Sequence, residues 1–252
     1  MNAATVSAAE FSAMALDVYA DKGKGTRVYS WTRQNFLGDP QNGFFAAAYQ
    51  TPRTKKLVVA FRGTQFESLV DWKNNALNTV GLASFNWDGQ LNTALAYFRS
   101  VRSIYASSEC AVCGHSLGGF LASMVAIREG VLGVTFNPAP LGASGAPQLM
   151  QTMLGRKSAR LVNFRLKGDV VSGMRTFNLG KVIELQHNKL ELLVRAARPG
   201  WQELASDLRQ LNVGKVTGAA LGDLDPLMHS MALMHEAVLG DTRSALAPES
   251  WT

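Results

Sequence analysis

Ser116 has the residue type and setting of an activated nucleophile, because it stands between two glycines in the segment 114–118, Gly-His-Ser-Leu-Gly. This spacing describes a sharp strand-to-helix turn that lifts a serine hydroxyl above the edge of a sheet. Gly114 and Gly118 are required because the turn brings backbone segments too close together for a Cβ atom. A glycine-rich turn without chemistry is the alternative. The apolar run 111–113 before the serine and the helical pattern after it favour the nucleophile.

A serine hydroxyl needs a base within reach and a carboxylate that orients the base. In α/β-hydrolases the acid follows the serine along the chain, and sites in open sheets gather at the carboxyl ends of strands. Asp169 meets both conditions, since it comes after Ser116 and a few residues beyond the strand predicted at 160–165. Weaker candidates for the acid are the later aspartates, Asp207, Asp223 and Asp225.

The base must come from the chain's four histidines. His115 is adjacent to the nucleophile and cannot serve as its base. His229 is favoured, because it follows a loop at the start of the last predicted helix, where a mobile side chain can meet the acid. His187 after a short strand and His235 within the helix remain open as alternatives.

An oxyanion hole requires two backbone donors aimed at the tetrahedral oxygen. One donor should be the N–H of Leu117, the residue after the nucleophile, at the start of a helix whose dipole favours an anion. The other should come from the loop that follows an earlier strand, here the segment 63–65, Gly-Thr-Gln. The pattern therefore predicts acyl transfer by a serine, a reaction that needs no metal and no cofactor.

Strands and helices that could position these groups alternate along the chain. Apolar runs predict strands at 43–49, 56–61, 131–136 and 160–165, with a shorter one at 181–185. Helical spacing follows the capping box at 7–10, recurs at 91–101 and follows Ser116. The pair Asp225-Pro226 predicts the start of a last helix through Val238.

This alternation predicts an α/β fold with a mostly parallel, doubly wound sheet and helices on both faces. A composition with 47% hydrophobic and 17% charged residues is that of a globular protein rather than a disordered chain. No repeat or shift in composition marks a boundary, so residues 1–252 are expected to form a single domain, with a helical insertion at 188–222.

Charge and cysteine usage exclude some classes of protein. Only two cysteines are present, Cys110 and Cys113, which excludes a disulfide-stapled fold and predicts buried free thiols. The net charge is +6, with basic residues concentrated between 156 and 181. A solvated charged face is the commoner explanation of such a cluster. No nucleic-acid motif accompanies the charge, so an anionic lipid surface is a better match than nucleic acid, which is not expected. No apolar run reaches the ~18 residues of a membrane span, and the first residues lack a secretory signal, so we expect a protein that is cytoplasmic as synthesised, or exported by a signal-independent route.

These residues resemble the class 3 (fungal-type) lipases and their bacterial relatives, including phospholipase A1-type enzymes. The resemblance lies in segments whose order and spacing are preserved: 58–64 (Val-Val-Ala-Phe-Arg-Gly-Thr), 71–72 (Asp-Trp), 114–119 (Gly-His-Ser-Leu-Gly-Gly), 135–138 (Thr-Phe-Asn-Pro) and 161–171. One departure is Asn-Trp-Asp-Gly at 86–89, where the family often has His-x-Gly-Phe. The stretch 190–222 has no counterpart that can be aligned.

The resemblance implies an α/β-hydrolase that cleaves carboxylic esters of lipids. It implies Ser116 as nucleophile, Asp169 as acid, a base near His229, and Thr64 as an oxyanion residue through its N–H and hydroxyl. It also implies that residues 65–82 form a lid over the site. A lidless carboxylesterase for short-chain esters and an inactive hydrolase fold that only binds are the alternatives. A dedicated inhibitor protein would fit an enzyme used against other cells.

Overall fold

The computed structural model describes residues 6–20, 22–52, 56–63, 87–107, 109–139, 160–167, 169, 180–186 and 230–241. Within these ranges the chain forms four helices and eight strands. In chain order they are α1 (Ala8–Asp17), β1 (Arg27–Val28), β2 (Trp31–Asp39), β3 (Phe44–Gln50), β4 (Leu57–Phe61), α2 (Trp87–Ile104), β5 (Cys110–His115), α3 (Leu117–Glu129), β6 (Leu132–Phe136), β7 (Leu161–Leu166), β8 (Lys181–Leu185) and α4 (Met231–Gly240).

The strands form one sheet in the order of the sequence, β1 to β8. The pairs from β1 to β4 are antiparallel, and those from β4 to β8 are parallel. Phe61 lies opposite Gly114, His115 opposite Phe136, and Phe136 opposite Phe164. The carboxyl ends of β4, β5, β6 and β7 are therefore level with one another at one edge, where open α/β sheets bind their ligands.

Helices cover both faces of the sheet, as predicted. The apolar side chains of α2 and α3 share one core with residues of β3, β4 and β5. The other core joins α1 and α4 to the opposite face. Strand β4 is buried along its whole length because it lies between these two cores. The capping box that predicts α1 is present, with Ser7 accepting from the Glu10 N–H and the Glu10 side chain accepting from the Ser7 N–H.

A buried polar cluster fastens the carboxyl end of α1 to β2 and β3. The Arg33 guanidinium donates to Asp17 Oδ2 at 2.5 Å, and the Tyr49 hydroxyl donates to the same oxygen at 2.7 Å. Lys22 Nζ reaches Asp17 Oδ1 at 3.0 Å from a half-exposed position. Arg33 is fully buried, an uncommon position for a charged side chain unless it is paired.

The structure corrects two details of the sequence interpretation. The sequence does not predict strands β1 and β2, because β2 carries many polar residues and its last residues are largely exposed. The last helix begins at Met231 after the N-cap Ser230, not at Asp225-Pro226. The predicted lid at 65–82 and the insertion at 188–222 lie outside the described residues. Among the helices in the described ranges, none is long and apolar enough to cross a membrane.

Candidate active site

Ser116 occupies the turn between β5 and α3 that its spacing predicts. Its backbone has φ 55° and ψ −125°, a strained conformation that a non-glycine residue rarely adopts. A Cβ on Gly114 would collide with the carbonyl oxygen of Gly118, and one on Gly118 would collide with that of Phe61. Both glycines are therefore required by close backbone contacts within the turn.

Neighbouring strands hold the strained turn in place. The Ser116 N–H donates to the Phe136 carbonyl at 3.2 Å, and the Ser116 carbonyl accepts from the Ala139 N–H at 3.0 Å. Leu117 begins α3, so its N–H belongs to the first turn, whose N–H groups have no partner within the helix. These N–H groups and the helix dipole provide a local positive potential beside the serine.

The segment that follows β4 lies directly against the nucleophile. A Cβ on Gly63 would stand 3.1 Å from Ser116 Cβ and 2.7 Å from the His115 carbonyl oxygen. The Arg62 N–H donates to the Phe45 carbonyl at 2.9 Å, which extends the β3–β4 pairing to this point. The next residue, Thr64, lies outside the described residues, so its role as oxyanion donor stays a prediction.

Tyr19 links this segment to the nucleophile turn, a role that the sequence analysis missed. Its hydroxyl oxygen accepts from the Gly63 N–H at 3.0 Å and lies 2.9 Å from His115 Nδ1. The rings of Tyr19 and His115 meet edge to face, with centroids 5.9 Å apart. The two contacts span 44 and 96 positions of sequence, so no local pattern could indicate them.

Asp169 lies just beyond β7 at the same edge of the sheet, where the sequence predicts the acid. The residue is 3% exposed, and its N–H donates to the Leu166 carbonyl at 3.1 Å. The side chain of Asn137, which follows β6, accepts from the Leu166 N–H at 2.8 Å and so ties the ends of β6 and β7 together. Burial lowers the pKa of the Arg165 guanidinium, and the charge of Asp169 opposes that shift. Asp169 is therefore a buried carboxyl within electrostatic reach of a cation.

The described part of the chain contains two of the four histidines, and in each of them Nδ1 lies within hydrogen-bond distance of a hydroxyl group. His115 directs Nδ1 at Tyr19. His235 is buried, and its Nδ1 lies 2.8 Å from Ser12 Oγ. In a catalytic triad this ring nitrogen would pair with a carboxylate, whereas here its partner is a hydroxyl group. Burial lowers the pKa of His235 to about 4. His187 and His229 lie outside the described residues, and His229 stays the predicted base.

The two cysteines, Cys110 and Cys113, form no disulfide bond. Both thiols are free, and burial raises the pKa of the Cys113 thiol above its ordinary value. Cys110 is only partly buried, which corrects the expectation that both are buried. Among the described residues, no three His, Cys, Asp or Glu side chains are grouped as metal ligands would be.

Comparison with known proteins gives one matching family model and several similar folds. The model of the Tle-like phospholipase domain matches residues 13–214. An extracellular phospholipase A1 of Serratia liquefaciens is 32% identical over 136 residues, a match that covers 50% of this chain and 40% of that protein. The chain therefore spans less than half the length of this relative.

Solved lipases share the fold at low sequence identity. A lipase of Rhizopus microsporus var. chinensis is 13% identical with a TM-score of 0.55, over 72% of this chain and 74% of that one. The Rhizomucor miehei lipase propeptide complex gives 13% identity and a TM-score of 0.52, over 72% and 68%. These likenesses establish the α/β-hydrolase fold that the resemblance implies.

Proposed function

Because the chain belongs to the Tle-like phospholipase domain family, we propose that it hydrolyses carboxylic ester bonds of glycerophospholipids through an acyl-enzyme on Ser116. The observation that carries the proposal is the strained turn at Ser116, with the Gly63 segment packed on one side and the helix N-terminus on the other. Similarity to the Serratia phospholipase A1 favours a phospholipase A-type activity over cleavage of triacylglycerols.

In the proposed reaction His229, oriented by Asp169, removes the proton from the Ser116 hydroxyl as Oγ attacks the ester carbonyl carbon. The N–H of Leu117 and the predicted donor Thr64 stabilise the oxyanion that forms. Collapse of the intermediate breaks the bond to the glycerol oxygen, which takes the proton from His229 and leaves as a lysophospholipid. Water, activated by the same base, then releases the fatty acid and restores the serine.

The electrostatics of the described residues suit this sequence of steps. Asp169 is buried and can stabilise a protonated base without competing solvent. The amino end of α3 favours negative charge at the reacting oxygen.

Basic residues near the site could contact an anionic headgroup. Of the described members of the 156–181 cluster, Arg160 and Lys181 lie at the amino ends of β7 and β8, away from the reactive edge. Exposed Lys167 lies at the carboxyl end of β7, two residues before Asp169. The described basic residues of this cluster are thus divided between two ends of the sheet. A dedicated inhibitor protein and the site of action in the cell stay predictions.

The test is product analysis by mass spectrometry on phosphatidylcholine vesicles and on a soluble short-chain ester. We expect free fatty acid and lysophospholipid in equal amounts, a rate that rises when the substrate aggregates, and loss of activity by about a millionfold in Ser116→Ala. Ser123→Ala is the matched control, because this buried serine of α3 donates only to the Gly119 carbonyl, at 2.9 Å.

Each contrary outcome identifies a different alternative. Full activity in Ser116→Ala would refute the proposed mechanism. Cleavage of the soluble ester without a rise at aggregation would identify a carboxylesterase. No labelling of Ser116 by a fluorophosphonate would indicate an inactive hydrolase fold.

A further inference from the structure

The hydroxyl of Tyr19 lies where three parts of the fold converge on the nucleophile. Tyr19 follows α1, Gly63 follows β4, and His115 precedes Ser116 at the end of β5. One oxygen atom contacts the latter two, at 3.0 Å from the Gly63 nitrogen and 2.9 Å from His115 Nδ1. The serine mechanism proposed above assigns no role to this hydroxyl.

Gly63 packs too closely against the nucleophile turn to carry a side chain. A single added carbon would collide with the Tyr19 hydroxyl on one side and with the His115 carbonyl on the other. Its N–H is directed at Tyr19 rather than toward the substrate side. The peptide nitrogen of Gly63 is therefore fixed one residue before the predicted oxyanion donor Thr64.

The protonation state of Tyr19 lets it hold both neighbours at once. Burial raises the pKa of the Tyr19 hydroxyl above its ordinary value, so the group stays neutral at working pH. Its oxygen accepts from the Gly63 N–H, and we assign its hydrogen to His115 Nδ1, which requires a ring unprotonated at that nitrogen. A phenylalanine would fill the same space and make neither bond.

We propose that Tyr19 is a positioning residue that locks the Gly63 segment onto the nucleophile turn and so aims the oxyanion donors at the reacting carbonyl. This inference rests on the proposed serine mechanism and deepens it. Oxyanion donors act only when they are held in place before the reaction, and a displacement of about 1 Å costs about a hundredfold in rate. The backbone before Tyr19 is anchored as well, because Arg33 donates a hydrogen bond to Asp17, two residues earlier at the end of α1.

The test compares Tyr19→Phe with the control Tyr97→Phe. Tyr97 is a buried tyrosine of α2 that lies in the core on the other face of the sheet, so the control also removes one hydroxyl oxygen, but on the face opposite to Tyr19. Phospholipid turnover, the rate of Ser116 labelling by a fluorophosphonate and the melting temperature are measured for both. In Tyr19→Phe we expect kcat and the labelling rate to fall together by about 10- to 100-fold, with KM changed by less than about threefold. Tyr97→Phe should leave both rates near wild type.

The readouts separate this inference from the proposed function. Equal labelling rates in wild type and a folded Tyr19→Phe overturn the inference alone, as does a change confined to KM or to the melting temperature. Labelling of wild-type Ser116 without phospholipid cleavage overturns the proposed substrate, while the ratio of labelling rates still decides the role of Tyr19. No labelling of the wild-type protein overturns both.

Discussion

Replacing Asp17 with asparagine should destabilise the protein strongly, because it leaves the buried guanidinium of Arg33 without a counter-charge. The Arg33 side chain is 0% exposed and that of Asp17 is 4% exposed, so water cannot solvate the charge that remains. Breaking a buried ion pair by removing one partner costs about 3–5 kcal/mol. For a domain of this size each kcal/mol lowers Tm by about 2–4 °C, so we expect a decrease of about 6–20 °C.

The second cation on the same carboxylate provides the control. Lys22 contacts Asp17 Oδ1 at 3.0 Å, but its side chain is 51% exposed. Lys22→Gln should therefore cost less than about 1 kcal/mol, since solvent screens an exposed pair. Urea unfolding of both variants at neutral pH measures the difference directly. If Asp17→Asn costs no more than Lys22→Gln, burial is not what makes this pair important.

Lowering the pH should reduce the difference in the free energy of unfolding between wild type and Asp17→Asn. Burial tends to raise the pKa of Asp17, but hydrogen bonds from Tyr49, Lys22 and Arg33 outweigh it and hold that pKa below the ordinary 3.8. The folded state therefore binds this proton less readily than the unfolded chain. The stability that the carboxylate contributes is present above the ordinary pKa and is lost as the pH falls through the folded pKa. A difference that grows in acid would contradict this assignment.

Two further predictions concern His235 and the nucleophile turn. The folded protein keeps the His235 ring neutral down to pH about 4, whereas the unfolded chain takes up a proton near its ordinary 6.5, so stability should fall by up to about 3 kcal/mol as pH decreases through that window. Urea titrations of His235→Leu should lack this decline, and an unchanged pH profile would contradict it. Gly118→Ala should cost about 3 kcal/mol or more, or prevent folding, because the added carbon meets the Phe61 carbonyl. Gly23→Ala, where nothing lies within 4 Å, is the control, and equal thermal stability of the two would refute the argument.

The sequence was informative where local pattern and tertiary structure coincide. Strands β4 and β6 are continuous apolar runs, and both are buried along their length. The turn at Ser116 is specified by two glycines within five residues, so a sharp strand-to-helix turn could be expected before the fold was known. Asp169 could be placed because the end of a predicted strand limits where its carboxyl can lie.

Features that depend on distant partners could not be predicted. Strand β2 was missed because Arg33 in its first half is neutralised by Asp17 of a helix sixteen positions earlier, which no strand pattern anticipates. Tyr19 carries no local signal for its contacts with Gly63 and His115. The contact between His235 and Ser12 also joins residues far apart in the sequence, so no local pattern indicates it.

The division of the helices between the two faces has a consequence for biosynthesis. Helices α2 and α3 connect successive strands, so the face they cover can be buried while translation proceeds. Of the described helices that cover the other face, α4 is made last. It packs beside α1, and its last residue emerges 55 positions after Leu185 of β8. At 5–20 residues per second, the apolar residues of α4 reach that face about 3–11 s after β8 has been made. The core that contains α4 is therefore completed later in synthesis than the core that contains α2 and α3.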